Sequence, residues 1–157
     1  MTPIVVIAGA IVVLDQITKA VALDRLAPGV AVPLVDGLLS LTLIMNTGLA
    51  FGLLAGLPGA WRWLVALLSI VALVVLARVA VGVLTGGWPA RLSVALIFGG
   101  AVGNLIDRAR FGAVVDFVDA HYGGYHWPAF NVADSAITVG VILLALHLLL
   151  ARPSGER

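Results

Sequence analysis

Four long apolar stretches constrain this chain more than any other feature of its sequence. They occupy about residues 4–23, 63–84, 92–106 and 132–151. An α-helix needs roughly 20 apolar residues to cross the hydrocarbon core of a bilayer, and only the third stretch is clearly shorter. Hydrophobic residues make up 62% of the chain and charged residues 11%, which is too few charges for the surface of a soluble domain. The sequence therefore predicts one integral-membrane domain, residues 1–157, with four transmembrane helices.

Two connections between these stretches, about residues 24–60 and 109–131, are long enough to hold structure of their own. In the first connection, apolar runs flank Asp36-Gly37, a dipeptide typical of tight hairpin turns. We therefore expect a β-hairpin over about residues 30–43, lying on the membrane surface, with residues 114–118 as a third short strand. The predicted fold class is an all-α membrane protein with a small β-hairpin or sheet element at its surface.

The acidic residues are segregated to one side of the predicted bundle. Successive helices alternate in direction, so the ends of the first and third stretches, the starts of the second and fourth, and both long connections share one side, here called the site face. All seven aspartates lie on it or point toward it: Asp15, Asp24, Asp36, Asp107, Asp116, Asp119 and Asp134. Lysine and arginine are spread over both sides, so the positive-inside rule does not orient the chain.

Charge and composition exclude several classes of function. A net charge of +1 without a run of Lys or Arg provides no field for nucleic acid. The absence of Cys excludes disulfides, thiol nucleophiles and thiolate metal sites. His121, His126 and His147 form no HExxH motif, so a zinc site would need scattered ligands. Ser135 beside Asp134 leaves a serine mechanism as an alternative, although no Gly-x-Ser-x-Gly elbow is present. We expect no metal and no cofactor.

Charged residues inside the first and third stretches need partners. Asp15 and Lys19 are four residues apart, hence on one helical face, where they can pair with each other or with an incoming group. Both a structural ion pair and a functional role stay open. Asn104 and Asp107 end the third stretch, where an acid opposes the helix dipole. Asp107 should therefore have Arg108 or another cation beside it.

The start of the fourth stretch repeats this spacing with Asn131 and Asp134. Taken alone, the pair predicts a helix cap in which Asp134 occupies the acidic position of a capping box. If Asp116 faces Asp134 in poorly hydrated space, the two carboxyl groups will share one proton. One carboxylate could then take a proton from an attacking water, while the protonated partner hydrogen-bonds a peptide carbonyl. That is the chemistry of an aspartic peptidase.

Five short motifs occur in one order along the chain. They are Asp15-Gln16-Ile17-Thr18-Lys19, Asn46-Thr47-Gly48, Gly103-Asn104-Leu105-Ile106-Asp107-Arg108, Val115-Asp116-Phe117 and Phe130-Asn131-Val132-Ala133-Asp134-Ser135. With four hydrophobic stretches, this order resembles the lipoprotein signal peptidases, the signal peptidase II family, over essentially the whole chain. Leu49 departs from the small residue that members more often carry there.

The resemblance implies an intramembrane aspartyl endopeptidase of the bacterial inner (cytoplasmic) membrane. Such an enzyme removes the signal peptide from diacylglyceryl-modified prolipoproteins, cutting just before the lipidated Cys. Its partners would be that substrate, membrane lipid and a globomycin-type inhibitor, with both termini cytoplasmic and the site face periplasmic. The resemblance assigns catalysis to Asp116 and Asp134. It assigns substrate binding or support of the pair to Asp15, Lys19, Asn46, Gly103, Asn104, Asp107, Arg108 and Asn131.

Two other classes of function compete with a peptidase. A proton-coupled membrane carrier could use the same carboxylates. A relay would spread ionisable groups through the depth of the membrane, whereas the half opposite the site face offers only Arg78, Arg91, His147 and terminal charges. A membrane assembly protein could use Asp and Asn as interhelical hydrogen-bonding groups, at about 0.6 kcal/mol each. That contribution is small for so many acids.

Overall fold

The computed structural model describes residues 2–48, 61–83 and 87–150. Within these ranges the chain forms four helices and four strands, which confirms a helical membrane fold with a small sheet. The helices are α1 (Thr2–Arg25), α2 (Trp61–Val83), α3 (Gly87–Phe111) and α4 (Val132–Leu150). The strands are β1 (Val32–Val35), β2 (Leu39–Asn46), β3 (Val114–Tyr122) and β4 (Tyr125–His126). Leu49 and the rest of the first long connection, up to residue 60, lie outside the described residues.

Three helices of the described chain are long and apolar enough to cross a membrane: Pro3–Arg25, Gly87–Phe111 and Val132–Leu150. In α2 the apolar helical segment is Trp63–Val75. The prediction of residues 92–106 for the third helix was too short, because α3 has 25 residues. Pro89 lies in its first turn, where a backbone N–H has no intrahelical partner to lose. At the other end, polar residues continue the helix because they are hydrogen-bonded to other elements.

Small residues let α3 pack closely between α1 and α4. A Cβ atom added to Gly99 would lie 2.8 Å from the Ala8 carbonyl oxygen on α1. A Cβ on Gly100 would overlap the backbone of α4, and one on Gly140 would lie 2.7 Å from Ile97 Cγ1 on α3. Without a hydrophobic driving force between helices in lipid, such close backbone approach provides the packing energy. This packing holds the polar ends of three helices together.

The four strands form one antiparallel sheet in the order β1-β2-β3-β4. The predicted Asp36-Gly37 turn joins β1 to β2, and Gly37 has a φ of 73°. Both β2 and β3 extend beyond the predicted strands, as far as Asn46 and Tyr122. In the β2–β3 pairing, Ile44 is opposite Asp116 and Asn46 is opposite Val114. The longer pairing places the end of β2 beside the start of β3, where Asp116 lies.

Candidate active site

A buried ion trio joins α1 to α3. The Lys19 Nζ atom lies 2.8 Å from Asp15 Oδ2 and 2.8 Å from Asp107 Oδ2. It also donates a hydrogen bond of 2.9 Å to Asn104 Oδ1. The side chains of Asp15 and Lys19 are 0% and 2% exposed, so each charge depends on its partners. The cation beside Asp107 is Lys19 rather than its sequence neighbour, because adjacent residues of a helix do not face each other.

The same two acids hold backbone from two other elements. Asp15 Oδ1 accepts a 2.9 Å hydrogen bond from the Ala133 N–H at the start of α4. Asp107 Oδ2 accepts a 3.1 Å hydrogen bond from the Val115 N–H in β3. The trio therefore fixes the two segments that carry Asp134 and Asp116.

Gly103 and Gln16 complete this support. A Cβ atom on Gly103 would lie 2.6 Å from Asp15 Oδ2, so only glycine leaves room for the carboxylate. Gln16 Nε2 donates to Asp107 Oδ1 at 2.9 Å, to Asp15 Oδ2 at 3.2 Å and to the Gly103 carbonyl at 3.3 Å. Gln16 belongs to the first of the five sequence motifs, but no role was predicted for it. Its position beside Asp15 on a membrane-spanning helix was the available signal.

Asp134 lies in the first turn of α4 and takes part in its cap. The Asp134 N–H donates to Asn131 Oδ1 at 2.9 Å, and the Asn131 N–H donates to Asp134 Oδ2 at 3.2 Å. These reciprocal bonds confirm the predicted capping box. The other oxygen, Asp134 Oδ1, accepts a 2.8 Å hydrogen bond from Asn104 Nδ2. Asp134 is therefore a cap that also belongs to the buried network.

Asn131 links the two acids that the sequence singled out. Its Nδ2 atom donates a 2.7 Å hydrogen bond to Asp116 Oδ1, while its backbone and side chain hold Asp134. Asn46 Nδ2 donates to the other Asp116 oxygen at 3.0 Å. Asp116 is only 2% exposed to solvent. Two carboxyl groups from β3 and α4 thus meet around one asparagine.

The protonation of Asp116 is strongly perturbed. Burial, followed by the neighbouring charge of Asp134, raises the pKa of Asp116 to about 7. Hydrogen bonds from Asn46 and Asn131 and the charge of Lys19 oppose this rise without cancelling it. A carboxyl group with this pKa is about half protonated at neutral pH. The pair can therefore hold a proton under conditions in which an exposed aspartate would have lost it.

Arg108 binds the segment that follows β2. One of its Nη atoms donates to the Gly48 carbonyl at 3.0 Å, and the Gly48 N–H donates to Asn46 Oδ1 at 2.9 Å. Its charge also acts on Asp134, Asp116 and Asp107. Arg108 thus connects the end of β2 with the acids of the site.

The structure brings all ten predicted site residues into one connected region: Asp15, Lys19, Asn46, Gly103, Asn104, Asp107, Arg108, Asp116, Asn131 and Asp134.

The serine and histidine residues that were considered for other mechanisms have other surroundings. The Ser135 hydroxyl donates to the Asn131 carbonyl at 3.0 Å, a bond within the helix. His147 lies on α4 beside Leu143 and Leu146. His121 and His126, for which the sequence predicted no metal site, lie together with Asp119 at the far end of β3.

Fold and site together define a membrane protein built around a pair of carboxyl groups, of which Asp116 is buried and Asp134 partly exposed, the class that includes membrane aspartic peptidases. The family model for Signal peptidase (SPase) II matches residues 7–150. The chain belongs to the signal peptidase II family and is an aspartic peptidase.

Individual relatives agree with this assignment. A lipoprotein signal peptidase of Desulforapulum autotrophicum is 48% identical over 146 residues, covering 88% of this chain and 86% of the relative. A lipoprotein signal peptidase of Geobacter sulfurreducens is 45% identical over 144 residues, covering 92% of this chain and 89% of the relative. A solved bacterial membrane enzyme is 30% identical with a TM-score of 0.76, covering 100% of this chain and 95% of its own. The similarity therefore extends over nearly the full length of both partners.

Proposed function

We propose that this protein removes the signal peptide from diacylglyceryl-modified prolipoproteins, cutting just before the lipidated Cys. The family and the names of its relatives support a lipoprotein substrate. One structural observation carries the proposed chemistry: the buried Asn131 hydrogen-bonds both the buried Asp116 and the partly exposed Asp134. Asp116 and Asp134 are accordingly the proposed catalytic pair.

In the proposed mechanism, the pair starts each cycle with one proton. The ionised carboxylate takes a proton from water as the water oxygen attacks the scissile peptide carbonyl. The protonated carboxyl group hydrogen-bonds the carbonyl oxygen and stabilises the tetrahedral intermediate. When the C–N bond breaks, the leaving nitrogen receives a proton from the pair, which returns to its starting state with one proton. No metal takes part in these steps.

The remaining polar residues position the pair in this proposal. Asn46 and Asn131 fix the Asp116 carboxyl group, and Asn104 fixes that of Asp134. The trio of Asp15, Lys19 and Asp107 holds the backbone on which both acids lie. Orientation of this kind contributes to catalysis by reducing the motion that reacting groups must lose.

The location of the pair suits a lipid-anchored substrate. Asp134 lies in the first turn of α4, hence at the boundary of the apolar layer, where water and a membrane-held peptide can both arrive. The diacylglyceryl group keeps the substrate in the bilayer. Exposed apolar side chains on β1, including Val32 and Leu34, fit a sheet that lies on the membrane surface. We place the protein in the bacterial inner membrane with the site face periplasmic, both termini cytoplasmic and the site open to a globomycin-type inhibitor.

Cleavage by the purified protein in detergent tests the proposal. The wild-type protein should cleave a diacylglyceryl-modified prolipoprotein and leave the unlipidated form intact. Asp116→Asn and Asp134→Asn should each lower turnover by about 100-fold or more, whereas Asp24→Asn, which removes an exposed acid paired with Arg25, should keep it. Tryptophan fluorescence confirms that each variant is folded. Full activity in either variant of the pair would refute the catalytic assignment, and equal cleavage of both substrates would refute the lipid requirement.

The alternative of a proton-coupled carrier makes a different prediction. Proteoliposomes containing the protein would then show proton flux that depends on Asp116 and Asp134 and would cleave no prolipoprotein. The site itself favours hydrolysis, because the ionisable groups of the network cluster where α1, α3, β3 and α4 meet. Within the residues that the structure describes, that arrangement provides no path of protonatable groups along the length of the helices.

A further inference from the structure

A second polar cluster lies at the far end of β3, away from the carboxyl pair. Asp119 and His121 are two residues apart on one strand, so both side chains lie on the same face of the sheet. His126 on β4 is directly opposite His121. The turn Gly123-Gly124 has φ values of 57° and 86°, which glycine adopts readily, and such two-residue turns fix hairpin register. The register therefore places three potential metal ligands side by side.

The distances within this cluster bring both imidazole rings to one carboxylate. His126 Nδ1 lies 2.9 Å from Asp119 Oδ1, and His121 Nδ1 lies 3.8 Å from Asp119 Oδ2. The two rings are stacked, with centroids 4.9 Å apart. One ligand atom from each of the three residues lies within 4.8 Å of the others.

The cluster contains a buried ring nitrogen that makes no hydrogen bond. His121 Nδ1 is buried and makes no hydrogen bond, although buried ring nitrogens normally have a partner and an unpaired one needs a physical explanation. The side chains of Asp119 and His121 are 14% and 18% exposed, whereas that of His126 is 59% exposed. The unpaired nitrogen thus lies at the base of a site that opens to water on the His126 side.

We propose that Asp119, His121 and His126 bind a divalent transition-metal ion, for which Zn²⁺ is the appropriate probe. Two imidazole nitrogens and one carboxylate oxygen are a common zinc ligand set, with water in the fourth position. Zinc bonds of about 2.0–2.2 Å place ligand atoms about 3.3–3.6 Å apart in a tetrahedral site. The observed separations of 2.9 and 3.8 Å bracket this range. A rotation of the Asp119 or His121 side chain would shorten the 3.8 Å separation, and a rotation of the exposed His126 ring would lengthen the 2.9 Å one.

Metal binding at this position stabilises the hairpin and takes no part in peptide hydrolysis. The site shares no residue with the hydrogen-bonded network around Asp116. Strand β4 has only two residues, which pair with His121 and Tyr122, and one further hydrogen bond of 2.8 Å joins the Trp127 N–H to the Ala120 carbonyl. A metal bound by one residue of β4 and two of β3 adds a cross-strand link where the hydrogen-bond ladder is short.

Zinc titration of the purified full-length protein tests the proposal. The protein is prepared in detergent without an oligohistidine tag, and bound metal is first removed with a chelator. Zinc affinity is then measured by competition with a chromophoric chelator. Wild-type protein should bind one Zn²⁺ per chain. Loss of a residue that only supports a metal ligand lowers metal affinity by about 10- to 100-fold. His121→Asn removes a proposed ligand itself, so it should weaken zinc binding by more than this factor. His126→Asn changes an exposed side chain, so it tests the same ligand set without disturbing the interior.

His147→Asn is the matched control, because it removes a histidine that lies on α4 beside leucines. It should bind zinc as the wild type does. Zinc should also raise the Tm of wild type and of His147→Asn but leave the Tm of His126→Asn unchanged, because a ligand stabilises only a protein that binds it. No stoichiometric binding by wild type would overturn the proposal, as would equal zinc affinity in wild type and both cluster variants.

Discussion

The buried Asp116 carboxyl group should make the folded protein less stable as the pH rises, and Asp116→Asn should remove that dependence. Burial and the neighbouring Asp134 raise the pKa of Asp116 from 3.8 to about 7. Between these pH values the folded protein holds a proton that the unfolded chain has released. The free energy of unfolding therefore falls as the pH rises through this window, because ionisation of Asp116 costs more in the folded protein than in the unfolded chain.

The magnitude follows from the two pKa values. One pKa unit corresponds to about 1.4 kcal/mol. Relative to a group with unchanged pKa, Asp116 should destabilise the fold by about 4 kcal/mol at pH 8 and by about 2 kcal/mol at pH 5.5. The wild-type protein should thus lose about 2 kcal/mol from this residue between pH 5.5 and pH 8. For a chain of 157 residues, that loss corresponds to about 4–8 °C in Tm.

Thermal unfolding in detergent, followed by tryptophan fluorescence, measures this effect. The Tm of Asp116→Asn minus that of wild type should be larger at pH 8 than at pH 5.5 by about 4–8 °C. Comparing two pH values removes the constant effect of placing an amide between the Asn46 and Asn131 donors. Asp36→Asn, in the exposed β1–β2 turn, is the control and should show no such change. An equal Tm difference at both pH values would refute the argument from burial.

Packing and protonation at the site lead to three further expectations. Gly103→Ala places a Cβ atom 2.6 Å from Asp15 Oδ2 and should destabilise the protein by about 1–3 kcal/mol, whereas Gly9→Ala, with no atom within 4 Å of the new Cβ, should not lower the Tm. Lys19→Met leaves two buried carboxylates without their shared cation, at a cost of about 3–5 kcal/mol; an unchanged Tm would contradict the ion trio. The kcat/KM for prolipoprotein should fall as the pH rises through about 7, because Asp116 then loses the shared proton; a profile that rises over this range would count against the pair.

The helices could be predicted from apolar length, but the end of α3 could not. Hydropathy treats Asn104, Asp107 and Arg108 as the end of a membrane span. In the fold they continue the helix, because their partners are Lys19 on α1, backbone in β3 and the segment after β2. These partners are distant in sequence, so no local pattern contains them.

Side-chain partners were harder to predict than the elements that carry them. The capping box of Asn131 and Asp134 is a local feature, and the sequence predicted it. The histidine cluster depends on the register of β3 against β4, which the Gly123-Gly124 turn sets. That turn was a readable signal, but β4 itself is too short to give a strand pattern of its own.

The charges around the carboxyl pair explain why a proton stays there. Four carboxyl groups and two cations meet at the site: Asp15, Asp107, Asp116, Asp134, Lys19 and Arg108. Lys19 forms its ion pairs with the two acids of the trio, and Arg108 directs its hydrogen bonds to backbone carbonyls. Full ionisation would therefore leave the buried site with excess negative charge, which a proton on the pair reduces. The ion trio that positions both segments thus also leaves the pair short of positive charge, and this shortage adds to the burial of Asp116 in favouring the carboxylic acid that the proposed hydrolysis requires.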